Sequence, residues 1–552
     1  MPESEYPLQV YELQTTVGGV WVDITPDVID GSDTQSRGMF DNNPTNRVAG
    51  SGTNALTLRN DANCIGGVSD YYTPGHANAM PGIGLGGRIR VRYFYDGRWR
   101  TDMKTYIPKG GIIPKGGGLE FKSVKLVSYD YMYILATAPI EFEDVGENGT
   151  FGDLAQDVID AEELKPEAVS FKGLVDTFAT YHDIIGENVT GMAELLRGAL
   201  SEMGYAYLNH GAEIDEELII EGRDYRTNVI PLYTVPQHSR FLGRIEDEYG
   251  DYPCDEHGNW ILGAEQVDVT AIHGLVGEPD IVTGDNFANR VVGKCYPKDV
   301  GTETIVLFTL DNALELKAGE SQVIYVTWKD PDNLATSICG KDVDTPVPNT
   351  DAFLNTLADG TGTDMSADMT ITLTKDTKGG TLTITNTGLV DGYILPGLVV
   401  KGRAIKAYNP IEYHADAFDA DFAHNGVKAI TLEQKFVTDP SKTKNFVDIL
   451  SARLNKPNTN HYRSITICAN DSVQHAGLLM WWDIGHRVHL QNDDYAINED
   501  YIIQGIKTKR DGKLIYRQYF LRPLMLDTYQ FWKLGIPGRS ELGSTTILGF
   551  AL

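Results

Sequence analysis

Alternation of apolar and polar positions dominates this chain. "EYPLQVYELQ" and "GGVWVDITPDV" predict a first hairpin, and "NALTLRND" puts Leu56 and Leu58 on one face of a strand. "GRIRVRYFYDGRWR" predicts a strand, a tight Asp96-Gly97 turn and a return strand. "FKSVKLVSYDYMYIL" continues that sheet to about residue 135. From about residue 302 the pattern is purely β: "ETIVLFTL", "SQVIYVTWKD", "MTITLTKDTKGGTLTITNTG" and "GYILPGLVVKGRAIK". With glycine-rich turns, these predict a small β-sandwich ending near residue 408. Strands return in "YRSITICAN", "GHRVHLQN" and "DYIIQGIKTKRDGKLIYRQYFLRPLML".

Two regions change period. Across 151–204, "FGDLAQDVIDAEEL", "FKGLVDTFATYHDII" and "TGMAELLRGALSEMGY" predict helices. In the third, Met192, Leu195, Leu196, Ala199 and Met203 share a face, and Thr190 is placed to cap the start. "YAYLN" and "ELIIEGRDYR" then predict strands. In "SKTKNFVDILSARLN", Phe446, Ile449, Leu450 and Leu454 line one side of a further helix. Residues 241–300 are acidic, irregular and β-rich, with "CDEHGNWILG" expected as a hairpin loop.

The 552 residues are too many for one core, so several domains are expected. Apolar content of 41% and charged content of 22% fall in the globular range. Lys+Arg is 47 against Asp+Glu 77, a net charge of −30. That balance argues against a surface that grips nucleic acid or anionic lipid. It suits solubility, or a wall past which a polyanion slides without sticking. Five cysteines (64, 254, 295, 339, 468) lie far apart without CxxC, which predicts free buried thiols. The first residues carry no signal-peptide pattern, and no apolar run reaches about 18 residues. The sequons at Asn148, Asn188 and Asn470 read as chance matches.

No stretch carries a recognisable catalytic, cofactor or metal motif. "GIGLGG" (Gly82, Gly84, Gly87) has the dinucleotide spacing, but a strand follows it where a helix is needed to hold pyrophosphate. Arg88, Arg90 and Arg92 share one face, with Arg98 and Arg100 on the return strand. In so acidic a chain they are expected to pair with carboxylates of neighbouring strands or of another subunit. "HADAFDADFAH" (His414, Asp416, Asp419, Asp421, His424) fits no metal spacing, and strand alternation splits its ligands. The Asp359–Asp364 loop lacks the bidentate Glu of a calcium loop. Cys254 and His257 of "CDEHGNW" read as turn chemistry, and His486 and His489 fall on opposite faces of a strand. No enzymatic activity, cofactor or metal is expected. The end, "FWKLGIPGRSELGSTTILGFAL", is apolar but too short and too interrupted to span a bilayer.

The order of four segments resembles the minor tail proteins of siphophages that form the baseplate hub or tail tip. The first is "GTNALTLRNDANCIGG" through "GLGGRIRVRYFYDGRWR", with Leu58, Asn60, Asp61, Tyr72, Pro74, Gly87, Arg88 and Arg90 at the family's positions. The second is "GMAELLRGALSEMGYAYLNHGAEIDEELIIEGRDYR", where Ser201, Glu202, Gly204, Gly211, Arg223 and Arg226 match. The third joins "LKAGESQVIYVTWKDP" with "TLTITNTGLVDGYILPGLVVKGRAI", and the fourth is the terminus from "RPLML" to "TTIL". The acidic stretch 241–300 is longer than the family pattern needs.

The resemblance implies a mainly β, multi-domain virion protein without enzymatic activity. Its expected parts are a β-barrel at 1–150, an α/β unit at 151–240 and an acidic insertion at 241–301. A β-sandwich at 302–408, a second barrel at 409–530 and a docking strap at 531–552 complete it. It further implies a homotrimer at the tail tip, made in the bacterial cytoplasm and used for host attachment and DNA ejection. Partners would be distal tail and tail-tube proteins, the tape measure protein and fibre or receptor-binding proteins, with viral DNA only in transit. Trp532, Leu534, Leu542, Thr545, Thr546 and Leu548, with Arg88, Arg90 and Arg92, are the expected assembly residues. A competing reading is a glycan-binding or glycan-cleaving tail protein, since 7 tryptophans and 28 tyrosines could stack on sugars.

Overall fold

The structure is a computed structural model. It describes residues 6–523 except 17, 42, 117–121, 175, 184–188, 212–213, 224–232, 236–259, 263–265, 269–279, 284–286, 417–425, 455–459, 472 and 493–494. The expected strap and the greater part of the acidic insertion therefore lie outside the described residues.

The chain is mainly β, with several sheets and few helices. Among the described residues, the largest sheet has 14 strands and draws on both ends of the described chain. The first hairpin forms as expected, pairing Leu8–Gln14 with Trp21–Asp23. Arg88–Tyr95 pairs with Arg98–Tyr106 across Asp96 and Gly97, both at the positive φ that a two-residue hairpin turn needs. Leu56 and Leu58 are buried together on Gly50–Arg59. Thr34–Gly38 pairs with Gly50–Arg59 on one side and with Ile497–Asp511 on the other. The segments expected as two barrels thus share one sheet through this short strand.

Close backbone approach explains why glycine stands at that junction. Gly38 has φ +97°, and a Cβ there would sit 2.3 Å from the Gln504 carbonyl. A Cβ on its partner Gly505 would meet the Met39 carbonyl at 2.4 Å.

Residues 151–222 pack two helices against small sheets. Phe151–Ala161 starts in a capping box between Thr150 and Asp153. Gly191–Glu202 is capped as expected, with Thr190 Oγ1 accepting from the Ala193 N–H at 3.3 Å. The helix expected between them is instead two strands, Ala168–Lys172 and Thr177–Tyr181. Thr177, Phe178, Ala179 and Thr180 alternate exposed and buried, so the period of two wins over the helical one. In contrast, 131–137 is a helix where a strand was expected. Asp130 caps it at the Met132 N–H, and Tyr131, Met132 and Leu135 bury at helical spacing.

Lys298–Ala407 carries its own core, with Trp328, Leu382, Ile384, Ile394 and Val400 fully buried. The helix Pro440–Leu454 buries Phe446, Val447, Leu450 and Leu454, while Ile449 is only half-buried. A helix at Val473–Trp481 was not anticipated. No described helix is long and apolar enough to cross a membrane.

Candidate assembly site

The strand that joins the two halves of the sheet carries a buried cluster of charge. Arg37 projects from Thr34–Gly38 and is 2% exposed. Its Nη1 donates to Asp483 Oδ1 at 2.5 Å, and its Nη2 lies 3.4 Å from Asp102 Oδ1. Arg100 Nη2 donates to Asp483 Oδ2 at 2.7 Å, and Arg517 Nη2 reaches Asp102 Oδ1 at 2.5 Å. All five side chains are buried. Asp483 follows the unanticipated helix and also accepts from the N–H groups of His210 and Ile484.

Burial alone would raise the Asp483 carboxyl, but Arg37 and Arg100 outweigh it and hold it well below the ordinary range. Asp102 is lowered in the same way by Arg517 and Arg37 against its burial. Burial pushes two nearby imidazoles down, His210 to about 3 and His486 to about 4, so both are neutral at pH 7. Arg37 adds to this at His210. A cavity of about 160 Å³ opens beside the cluster, lined by Trp99, Met480, Trp481, Arg98 and His210. The cluster is built for cohesion: each carboxylate is locked ionised by two arginines and can neither give nor take a proton near neutrality.

The predicted arginine ladder is engaged within the chain. Arg90 binds Glu12 at 2.6 Å and Asp215 at 2.8 Å, and its guanidinium lies 4.3 Å from the Trp21 ring centroid. Arg92 covers the Trp99 ring at 4.6 Å, and Arg88 the Tyr106 ring at 5.7 Å. The residues that carry the family resemblance are also structural. Asn60 Oδ1 accepts from the Tyr72 N–H, and the Tyr72 hydroxyl donates to buried Asp27, each at 2.7 Å. Ser201 Oγ accepts from the Phe436 N–H, and Glu202 from the Asp176 N–H. Arg223 bridges Asp176 at 3.3 Å and covers the Phe446 ring. A Cβ on Gly204 would strike the Glu221 carbonyl at 2.1 Å. The Ser201 and Arg223 contacts pin the helical unit to the segments around Phe436 and Phe446.

Other candidates stay dispersed. Gly82–Gly87 is a loop running into the strand Arg88–Tyr95, so the helix that dinucleotide binding needs does not follow it. Asp359 and Asp364 bond the backbone and hydroxyls of Thr361 and Ser366, as turns do. Asp416 forms a two-point pair with Arg290, at 2.7 and 2.9 Å. Asp419, Asp421, His424, Cys254, His257 and Arg226 lie outside the described residues, as do Trp532, Leu534, Leu542, Thr545, Thr546 and Leu548. No group of metal ligands forms among the described residues. Cys64, Cys295, Cys339 and Cys468 are free and buried, as expected.

A second junction, between the helical unit and the β-sandwich, was missed. Lys298 Nζ meets Asp183 at 2.6 Å with both side chains buried. His182 Nδ1 and Glu194 Oε1 are 2.8 Å apart, and the Phe142 ring stacks on the imidazole at 3.5 Å. Glu147 takes a further salt bridge from Arg403 at 2.8 Å. A cavity of about 300 Å³ lies here, lined by Phe142, His182, Glu194, Val326, Asp376 and Lys378. The available signal was Glu194 itself, a charge set among the apolar residues of a helix. The carboxyls that burial raises most plainly, Asp130 to about 7 and Glu216 to about 8, line none of these cavities.

No family model matches the sequence, and no curated protein does. Among solved structures, the chain is similar to the 43 kDa tail protein of prophage MuSo2 from Shewanella oneidensis. The TM-score is 0.43 at 10% identity, covering 94% of this chain and 99% of that one. A tail protein from Neisseria meningitidis MC58 gives 0.44 at 10% identity, over 94% and 98%. The E. coli c3393 protein, described as a type VI secretion component similar to T4 tail proteins, gives 0.33 at 8% identity, over 90% and 73%.

Proposed function

We propose that this chain is a structural protein of a phage tail, a hub subunit that forms a threefold ring at the tail tip below the tail tube. The collinear resemblance of four segments to tail-tip hub proteins carries the reading. The joined sheet supports it: strands from residues 8–129 and 460–523 form one unit, held by a buried charge cluster and with helical and sandwich units inserted between. The net charge of −30 suits a wall that DNA passes without adhering. The ring would join distal tail and tail-tube proteins above to fibre or receptor-binding proteins below, and its role is assembly without catalysis.

A glycan-cleaving role is less well supported. It needs a pair of carboxyls at an open cleft with one of them raised. Among the described residues, Asp130 and Glu216 are raised but enclosed, and Asp102 and Asp483 are lowered. Negative-stain images and mass photometry of the purified chain test the proposal, with threefold particles expected and monomers alone at high concentration overturning it. Truncation after Thr528 tests the strap. Loss of tail assembly is expected, and infectious tails built from the shortened chain would remove the strap from the proposal.

A further inference from the structure

The outer face of one sandwich sheet differs from the rest of this acidic surface. Strands Ser321–Thr327, Gly379–Asn386 and Met369–Asp376 pair antiparallel in that order, with the middle strand central. Their registers bring the outward side chains into three ranks. These are Ser321, Thr385 and Thr370; Val323, Thr383 and Thr372; and Tyr325, Thr381 and Thr374. The alternate positions turn the other way, where Leu382, Ile384 and Val326 enter the core.

Seven of these nine positions are Ser or Thr, an eighth is Tyr, and none is charged. Apart from the Ser321–Thr385 pair at 2.7 Å, their hydroxyls make no hydrogen bond within the described residues. Tyr325 is 83% exposed and Val323 45%. Threonine's liking for strands accounts for single positions. It does not account for an uncharged 3 × 3 array in a chain where 22% of residues are charged.

We infer that this face binds a neutral polysaccharide. Each hydroxyl offers one donor and two acceptors, the same inventory as a sugar hydroxyl. Strand geometry spaces the array about 4.8 Å across and about 6.8 Å along the strands, so several groups meet one extended glycan. The Tyr325 ring supplies a flat apolar platform with a polar tip for the C–H face of a sugar. Charge complementarity selects the occupant: an uncharged face on an acidic protein suits a ligand without phosphate or carboxylate, and acidic polymers are repelled by the surroundings. This inference stands independently of the tail-assembly reading.

Affinity electrophoresis of the full chain tests it, in native gels containing dextran, yeast mannan or galactomannan, with polygalacturonate as the acidic comparison. At least one neutral polymer should retard the protein, and polygalacturonate should not. Tyr325→Ala should weaken apparent affinity about tenfold or more, and Thr372→Val with Thr383→Val should weaken it while keeping shape. Thr383→Lys should abolish retardation, and all variants should unfold at the wild-type temperature. Absence of retardation by every neutral polymer, or retardation untouched by Tyr325→Ala and Thr383→Lys, overturns the inference. So does concentration-dependent dimerisation that Thr383→Lys removes, which would make the face a contact between two copies.

Discussion

The sheet junction and the β-sandwich solve the same problem with opposite materials. At the junction, three arginines and two aspartates hold together segments as far apart as residues 37 and 517. In the sandwich, an apolar core around Trp328 and Leu382 closes over strands from one continuous stretch, Lys298–Ala407. Apolar packing tolerates substitution of similar volume, whereas a buried ion demands its partner. The junction is therefore specific and brittle, and the sandwich is cohesive and locally determined.

The sharpest way to break the comparison is to orphan charge at the junction. Asp483→Ala leaves Arg37 and Arg100 buried without their carboxylate, which costs about 3–5 kcal/mol. Denaturant unfolding of the variant should show the large sheet lost early while the sandwich unfolds at its wild-type midpoint. Simultaneous loss of both would show that they fold as one unit.

Trp328→Ala attacks the other side. The side chain is fully buried and its Nε1 donates to the Asp376 carbonyl at 3.1 Å. Truncation should cost about 3–5 kcal/mol in the sandwich. Hydrogen-exchange protection at Ile506 and Leu521 in the large sheet should stay native through that transition.

Glu216 sharpens the contrast through pH. Its carboxyl is pushed up to about 8 by burial and accepts from the Tyr106 hydroxyl at 3.0 Å. The folded state thus favours the protonated form, whereas the unfolded carboxyl ionises near 4.5. The stability this gives is fully present below pH 4.5 and is lost as pH rises to 8. Glu216→Gln should flatten that loss, stabilising the protein at pH 8 relative to wild type by about 1–3 kcal/mol. Thermal melts at pH 5 and pH 8 measure the difference.

The two regions also differ in how far their sequences reveal them. Val323, Tyr325, Thr381 and Thr383 alternate with core residues, so strands, turns and faces of the sandwich follow from period alone. The hairpin at Asp96-Gly97 is legible for the same local reason. Nothing near Arg37 names Asp483, because their pairing exists only after the sheet forms across more than 400 residues. The helix at 131–137 hid behind a run of tyrosines that fits a strand equally well, and only the Asp130 cap decides it. Arg90 and Arg92 were legible as cations paired with carboxylates, whereas Arg88 covers the Tyr106 ring and meets no carboxylate among the described residues, and none of the aromatic partners was legible.

The smallest expected effect falls on the helix between the two regions. Thr190 Oγ1 accepts from the Ala193 N–H, satisfying one of the amides that the first turn leaves open. Thr190→Ala should cost about 1 kcal/mol, and Thr190→Asp should restore it and add a favourable charge at the helix N-terminus. The helix carries Glu194 to His182 beside the sandwich and Ser201 to the segment at Phe436. Its fraying should therefore loosen both attachments by the same small amount. Hydrogen exchange at Ala193 and Glu194 should rise in the alanine variant, with protection in Leu382 and Ile506 unchanged. If protection falls at either distant site, the helix is part of that region and not a bridge between the two.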